Sequence, residues 1–443
     1  MFFQFSQDQL NAIDGICDKL ANSNPKSHMI AVLTGSAGTG KTTVVGEIIN
    51  RMSTDSPLIP IELCATTHRA ANVLEDITTS LSNGGYRFNA VKDVQTGHAL
   101  FKLRPTVTKT GKELIKQTGK CDIQYGSAVI IDEASMIGNQ FLTAIVDIVK
   151  DKALKLLFVG DPLQLPPPTD ICSIFDGSLA TYKLTTVHRQ AGDNPILDKA
   201  DEFREYVQGI RNIEPSIKTA LNAKGKGIHV LSHTDFVTKF VKRYMNYSAG
   251  DPVDIPLCTY TNESAINYNS MVRKSAFFLE DTIEPFYAGE RLISNSAVMQ
   301  SDRTILTNNE VVHVIDYIEG IQYGIPGYYV TVQGESDKYT GAKRKKIFSP
   351  KSKGITDTIL EGHKQEAVKS KSKQGWVDFY AIKNSLADLR PPFAGTTHKA
   401  QGGTFPAVFI DKINIDKCRD VATRARLFYV ALTRASENVY INS

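Results

Sequence analysis

The chain has 443 residues, a formal net charge of +4 and a 42% hydrophobic composition, the balance of a globular protein too long for one ordinary core. No apolar stretch approaches the ~20 residues that cross a bilayer, and the N-terminal run MFFQFSQDQLNAID lacks the charged start and apolar centre of a signal sequence, so a cytoplasmic protein with no membrane partner is expected. Six cysteines (Cys17, Cys64, Cys121, Cys172, Cys258, Cys418) lie far apart without a Cys-x-x-Cys pair, which argues against a disulfide framework or a zinc site.

Residues 29–33 form an apolar run that reads as a buried strand, and 44–49 continue as an amphipathic helix. Between them Gly35-Ser36-Ala37-Gly38-Thr39-Gly40-Lys41-Thr42 matches the phosphate-binding loop pattern, followed by Thr43. Glycines let successive N–H groups turn toward phosphate oxygens, Lys41 reaches the β and γ oxygens, and the Thr42 hydroxyl can ligate Mg²⁺. A nucleoside triphosphate is therefore the expected ligand.

Short apolar runs at 59–65, 128–131, 155–159 and 182–184 alternate with helical patterns, which predicts a parallel α/β sheet. Residues 104–116 break the rhythm with period-two alternation around Lys109-Thr110-Gly111, predicting an inserted β-hairpin. The strand at 128–131 ends in Asp132-Glu133, two acids at the carboxyl edge where α/β sheets bind ligands; Asp132 can hold Mg²⁺ and Glu133 can orient and deprotonate water. Gly160-Asp161-Pro162-Leu163-Gln164 follows the next strand, and Gln164 is a candidate γ-phosphate sensor.

A second α/β pattern occupies 228–231, 255–260, 407–410 and 438–441. It is split by a β-rich insertion, read as a small barrel, with strands expected at 310–314, 328–332 and 377–382. Between Lys343 and Lys373 ten basic residues face three acids, a local +7 that leaves the remainder at −3; this run reads as a solvated loop or a nucleic-acid contact.

In chain order Gly35 to Thr42, Asp132-Glu133-Ala134-Ser135, Gly160 to Pro166, Leu184-Thr185-Thr186-Val187-His188-Arg189, Thr397-His398-Lys399-Ala400-Gln401-Gly402 and Tyr429-Val430-Ala431-Leu432-Thr433-Arg434 resemble the motifs of superfamily 1 helicases, closest to the 5′→3′ branch of RecD- and Dda-like enzymes. The resemblance implies two RecA-like lobes, at 1–190 (pin hairpin about 103–118) and at 191–283 with 394–443, and an SH3-like β-barrel insertion at 284–393. It implies ATP and Mg²⁺ as cofactors, with Gln9 reading adenine, Gln401 at the nucleotide, and Lys41, Glu133, Gln164 and two arginine fingers, Arg189 and Arg434, acting on the phosphates. Strand contacts are implied for Thr66, His68, Thr96 and His98 in the first lobe and Thr261, Asn262, His398 and Lys399 in the second. Ile115 aligns with the family's aromatic pin residue, an aliphatic substitute, with Leu114 as its rival. His188 stands where more distant relatives carry a stacking tyrosine.

The implied activity is ATP-dependent 5′→3′ translocation on single-stranded DNA and unwinding of forked DNA in replication, recombination or repair. Its working unit is a monomer in bacterial or phage-infected cytoplasm, associated with replication or single-strand-binding proteins. A single-strand translocase that strips bound proteins, an RNA helicase and a non-enzymatic nucleotide-gated DNA-binding module are the rival readings. Glu133, Gln164, Arg189 and Arg434 argue against the last, since a switch needs no transition-state stabilisers.

Overall fold

The first sheet forms because its strands are apolar on both faces, which only a parallel sheet covered by helices on each side can bury. The computed structural model describes residues 4–22, 26–83, 85, 94–167, 170–186, 194–244, 256–276, 284–300, 303–334 and 344–443. Strands β1 (Met29–Gly35), β2 (Ile61–Ala65), β3 (Gln95–Thr96), β4 (Leu103–Val107), β5 (Glu113–Gln117), β6 (Ala128–Asp132), β7 (Lys155–Gly160) and β8 (Ala180–Leu184) alternate with helices α1 (Gln7–Asn22), α2 (Lys41–Asp55), α3 (His68–Asn83), α4 (Gly97–Leu100) and α5 (Asn139–Asp151). Six of the strands pair in the order β3-β2-β6-β7-β1-β8, all parallel, and β4 and β5 form a separate antiparallel hairpin. Side chains alternate across the sheet: Ala31, Leu33, Ile130 and Leu157 pack with Ile13, Ile16, Val44 and Ile48, whereas Val32, Val129, Ile131 and Phe158 pack with Phe101, Phe141 and Ile145.

The second sheet follows through α6 (Pro195–Val207), β9 (Ala220–Leu221), β10 (Gly227–Leu231), α7 (His233–Arg243), β11 (Leu257–Thr259) and α8 (Asn262–Ala276). After an insertion it resumes with β19 (Ala394–Thr396), α11 (Thr397–Ala400), β20 (Phe405–Ile410), α12 (Lys412–Ile415), α13 (Val421–Thr433) and β21 (Ala435–Asn442). The order is β19-β11-β20-β21-β10-β9, parallel except for edge strand β9. Helix α13 packs on α6, with Phe203 and Phe428 stacked at 5.1 Å between centroids.

The insertion comprises β12 (Arg291–Ser294), β13 (Val298–Gln300), β14 (Arg303–Leu306), β15 (Val311–Gln322), β16 (Ile325–Gly334), β17 (Lys345–Pro350), helices α9 (Lys353–Ser370) and α10 (Lys373–Ser385), and β18 (Leu389–Arg390). Five strands pair antiparallel as β17-β16-β15-β12-β18 around Leu292, Val312, Val330, Val332 and Ile347. A lone parallel bridge from Phe348 to Leu386 links edge strand β17 back to the segment that leads into β18.

Two expectations for this region are corrected. The strand expected at 377–382 is part of helix α10, because its buried residues, Trp376 and Phe379, are spaced three apart with half-buried Tyr380 beside them, one helical face that a six-residue window mimics as alternation. The basic run is not a loop: residues 345–350 are strand β17 and 353–370 are helix α9, with lysines such as Lys364 and Lys369 exposed on the helix surface, while Lys343 lies outside the described residues.

The predicted hairpin exists, and its tip is seated on the insertion. Tyr380 donates its hydroxyl to Gly111 O at 3.3 Å, and Val107 packs against Trp376 and Phe379. Gly111 has φ +80, and a Cβ there would sit 2.4 Å from Trp376 Cζ2. Gly111→Ala should therefore lower the unfolding free energy by about 1–3 kcal/mol, read by denaturant melting. Gly126→Ala, also at positive φ (+75) with nothing within 4 Å, should cost less, and equal losses in the two variants would show that Trp376 does not constrain the hairpin tip.

Candidate active site

Strands β1, β6 and β7 lie side by side and end together, so their carboxyl edge brings the phosphate loop, the acid pair and the Gly160 turn to one place. In the loop Gly38 and Gly40 adopt φ +86 and +75, conformations that glycine enters without strain. A Cβ on Gly35 would fall 2.4 Å from Thr39 Oγ1. Lys41 Nζ donates to Gly35 O (2.7 Å) and Ser36 O (3.0 Å), folding back onto the loop. Thr42 and Thr43 sit half-buried in the first turn of α2. Gln9 is buried beneath the loop; its Nε2 donates to Thr39 O at 3.0 Å and its Oε1 accepts from Ser6 N at 3.0 Å.

Asp132 ends β6 and accepts the Glu133 N–H at 2.8 Å. Glu133 itself is held in the left-handed region (φ 52, ψ 41), an unfavourable backbone for a non-glycine residue. Burial raises both carboxyls above their ordinary values; for Glu133 the neighbouring Asp132 adds to the rise, and Arg434 and Lys41 oppose it. A half-buried acid pair short of positive charge is a setting that a divalent cation relieves, and one carboxylate with one threonine hydroxyl suits Mg²⁺, which keeps most of its waters.

The second lobe closes the cleft. Arg434 caps α13 and is 6% exposed, with Nε donating to Val430 O, Nη1 to Gly403 O and Nη2 to Thr433 Oγ1, while its charge acts on Glu133 across the lobes. Gln401 Nε2 donates to Gln164 Oε1 (3.3 Å) and to Leu165 O (3.2 Å), joining the second lobe to the candidate sensor; its own Oε1 is buried without a partner. Arg189, with His188, lies outside the described residues.

The residues expected to contact the strand divide into two groups. Thr66, His98 and Ile115 meet in one cavity of about 360 Å³ between the hairpin and α5, with Leu114, Phe141 and Asp170 also in its wall. Ile115 is half-buried against the Phe141 cluster in mid-strand, so it lines this cavity, and the hairpin tip is formed by Lys109 to Gly111. His98 sets its ring edge on Phe141 at 5.1 Å, and Thr96 caps α4 by accepting Ala99 N at 3.3 Å. His68 begins α3; its side chain lies outside the described ones.

In the second lobe Thr261 Oγ1 caps the first turn of α8 by accepting Ser264 N, and exposed Asn262 accepts Arg390 Nη1 at 2.9 Å. His398 and Lys399 are half-buried in α11; burial lowers the His398 pKa. Lys399 is brought down from 10.5 to about 8, chiefly by burial and secondly by Arg390, with Asp388 opposing.

Several participants were not assigned a role from sequence. Arg204 Nη1 donates to Ser36 Oγ (3.2 Å), Arg426 Nη1 donates to Pro162 O (2.7 Å) and Gln164 O (3.0 Å), and Tyr429 reaches the phosphate loop. The available signal was spacing, since Arg426, Tyr429 and Thr433 at i, i+3 and i+7 share one helix face.

The model of the AAA domain family matches residues 4–232, just over half of the chain, and that of the UvrD-like helicase C-terminal domain matches 392–442. The chain is similar to the ATP-dependent DNA helicase dda of Enterobacteria phage T4, 24% identical and covering 99% of both chains. It is similar over 42% of its length to the ATP-dependent RecD2 DNA helicase of Deinococcus radiodurans, at 30% identity over 22% of that protein. The solved Pif1 helicase from Candida albicans aligns over 100% of this chain and 95% of its own at 15% identity, with a TM-score of 0.46.

The lowered Lys399 gives a pH test with a defined sign. A phosphate bound there favours the charged form, so affinity for single-stranded DNA should be flat below about pH 8 and fall above it by up to about tenfold per pH unit. Fluorescence anisotropy with an oligonucleotide checks this; Lys399→Arg, which keeps its charge, should remove the fall, and a wild-type profile flat to pH 10 would exclude Lys399 from phosphate binding.

Proposed function

The chain belongs to the AAA domain family, and on that premise we propose that it converts ATP hydrolysis into 5′→3′ movement along single-stranded DNA. It is an ATP-dependent DNA helicase of superfamily 1, of the Dda and RecD type. The observation that carries the reading is a cleft whose two walls come from different sheets: Lys41, Glu133 and Gln164 from the first, Arg434 and Gln401 from the second.

Residues 1–190 form one RecA-like lobe, 191–283 with 394–443 the other, and 284–393 the inserted domain. Lys41 and the loop amides hold the phosphates of ATP, and Gln9 faces the base end. Thr42 and Asp132 would hold Mg²⁺, which when bound offsets charge on the phosphate oxygens. Glu133 orients water and accepts its proton, a task that its raised pKa favours. Arg434, aided by Arg189, stabilises charge on the transferring phosphoryl group. Because Arg434 and Lys41 lie on different lobes, binding and release of phosphates alternately strengthens and weakens the tie between them.

Thr66, Thr96, His68 and His98 on one lobe, and Thr261, Asn262, His398 and Lys399 on the other, grip the strand through phosphate and sugar without reading sequence. The hairpin meets the fork as a rigid element because α10 braces its tip. Forked DNA and single strands are the partners, with replication or single-strand-binding proteins as associates of a cytoplasmic monomer.

Unwinding of duplexes with a 5′ tail should exceed that of 3′-tailed duplexes at least about tenfold, and Lys41→Ala should abolish turnover while melting like wild type. Equal unwinding from both tails would reject the polarity. Displacement of bound protein without strand separation, or a preference for forked RNA, would replace the helicase reading with a stripping translocase or an RNA helicase.

A further inference from the structure

Tyr429 is 1% exposed and projects from the second-lobe helix α13 into the first lobe. Its hydroxyl accepts the Ala37 N–H at 3.2 Å and donates to Asp161 Oδ2 at 2.6 Å. Ala37 belongs to the phosphate loop, whose N–H groups are the donors that a phosphate-binding loop presents to its ligand. Asp161, itself 1% exposed, accepts Leu163 N with its other carboxylate oxygen (3.0 Å) and Gln164 N with its backbone carbonyl (3.2 Å), so it shapes the turn that carries Gln164. One hydroxyl thus joins three things: the phosphate loop, the Gln164 turn and the helix that ends in Arg434.

This junction is specific to the hydroxyl. Burial and the adjacent Asp161 keep the phenol protonated far above neutral pH, so it remains a donor to the carboxylate and has lone-pair capacity left for Ala37. A second rung lies beside it, since Arg204 on α6, packed against α13, donates to Ser36 Oγ at 3.2 Å while paired with Asp201 at 3.0 Å.

Resting on the helicase reading above, we infer that Tyr429 is a positioning residue of the ATP cycle, whose hydroxyl and an incoming phosphate oxygen compete for the Ala37 N–H. A phosphate that takes this donor leaves the hydroxyl with Asp161 alone. Helix α13 then loses its tie to the phosphate loop and keeps the one to the Gln164 turn. Phosphate arrival is thereby transmitted to the helix carrying Arg434, and phosphate departure restores the first tie. The Asp161 bond persists on both sides of the exchange and cancels from nucleotide affinity.

The sign of the effect separates this role from mere packing. Tyr429→Phe keeps the ring and removes the competitor, so the Kd for ATP and ADP, each with Mg²⁺ and without DNA, should fall about twofold to tenfold, the range of one neutral hydrogen bond. The KM for ATP should fall with it, while base pairs unwound per ATP drop at least about threefold. Site-specific 3,5-difluorotyrosine at 429, which weakens the acceptor but preserves shape, should shift affinity the same way by less and serves if the phenylalanine variant melts abnormally. Unchanged or weaker nucleotide binding in a normally folded variant would overturn the inference. The binding arm needs no DNA, so a wild-type protein that hydrolyses ATP yet unwinds nothing would defeat the helicase reading and leave the Tyr429 competition to be judged on affinity alone.

Discussion

A parallel sheet buried on both faces can expose chemistry only at its strand ends, and this constraint organises the molecule. Strands β1, β6 and β7 spend their apolar side chains on two helical layers and release Gly35, Asp132 and Gly160 at a common edge. Charges collected there sit partly out of water, where each is costly unless partnered. Lys41 leans on loop carbonyls, Asp132 on the next backbone N–H, and Asp161 on Tyr429 and Leu163. The second lobe is therefore part of the electrostatic solution at the first lobe's edge as well as a lid over it.

The inserted domain solves a different problem. A two-stranded hairpin is marginal alone in water, and β4–β5 projects from the first lobe with most of its outer residues exposed. Trp376, Phe379 and Tyr380 supply the missing apolar surface at its tip, while Leu103 at its base and Ile115 in mid-strand pack with the Phe141 cluster. The hairpin is held at both ends by elements more than two hundred residues apart in sequence, which is why its stiffness is a property of tertiary contact and not of its own sequence.

Much of this was legible in the sequence where a local rule acted alone. Buried strands at 29–33, 128–131 and 155–159 announce themselves as continuous apolar runs, and the phosphate loop by its glycines, Lys41 and Thr42. Helix α10 was misread because a six-residue stretch with Phe379 and Tyr380 at its centre satisfies both periods, and only Trp376 just before it fixes the helical face. The basic run looked unstructured because charge masks the weak amphipathicity of α9, whose buried residues are few, Thr356 and Ala367 among them. Arg204 and Arg390 gave no signal, since an arginine reaching a hydroxyl or an amide on another element leaves no pattern in its own neighbourhood. Tyr429 sat inside a recognised motif, yet its partners Ala37 and Asp161 are distant in sequence, and that pairing exists only in three dimensions.

Gly402, at φ +76, lies against Ala70 at the start of α3, where a Cβ would come within 3.3 Å of the Ala70 Cβ. Arg426 meets Pro162 and Gln164 at a second crossing between the lobes. With the Tyr429, Gln401 and Arg204 contacts, these crossings spread the meeting of the lobes over a surface. A side chain at Gly402 would press on Ala70, so the closeness of this crossing rests on the side chain that Gly402 lacks.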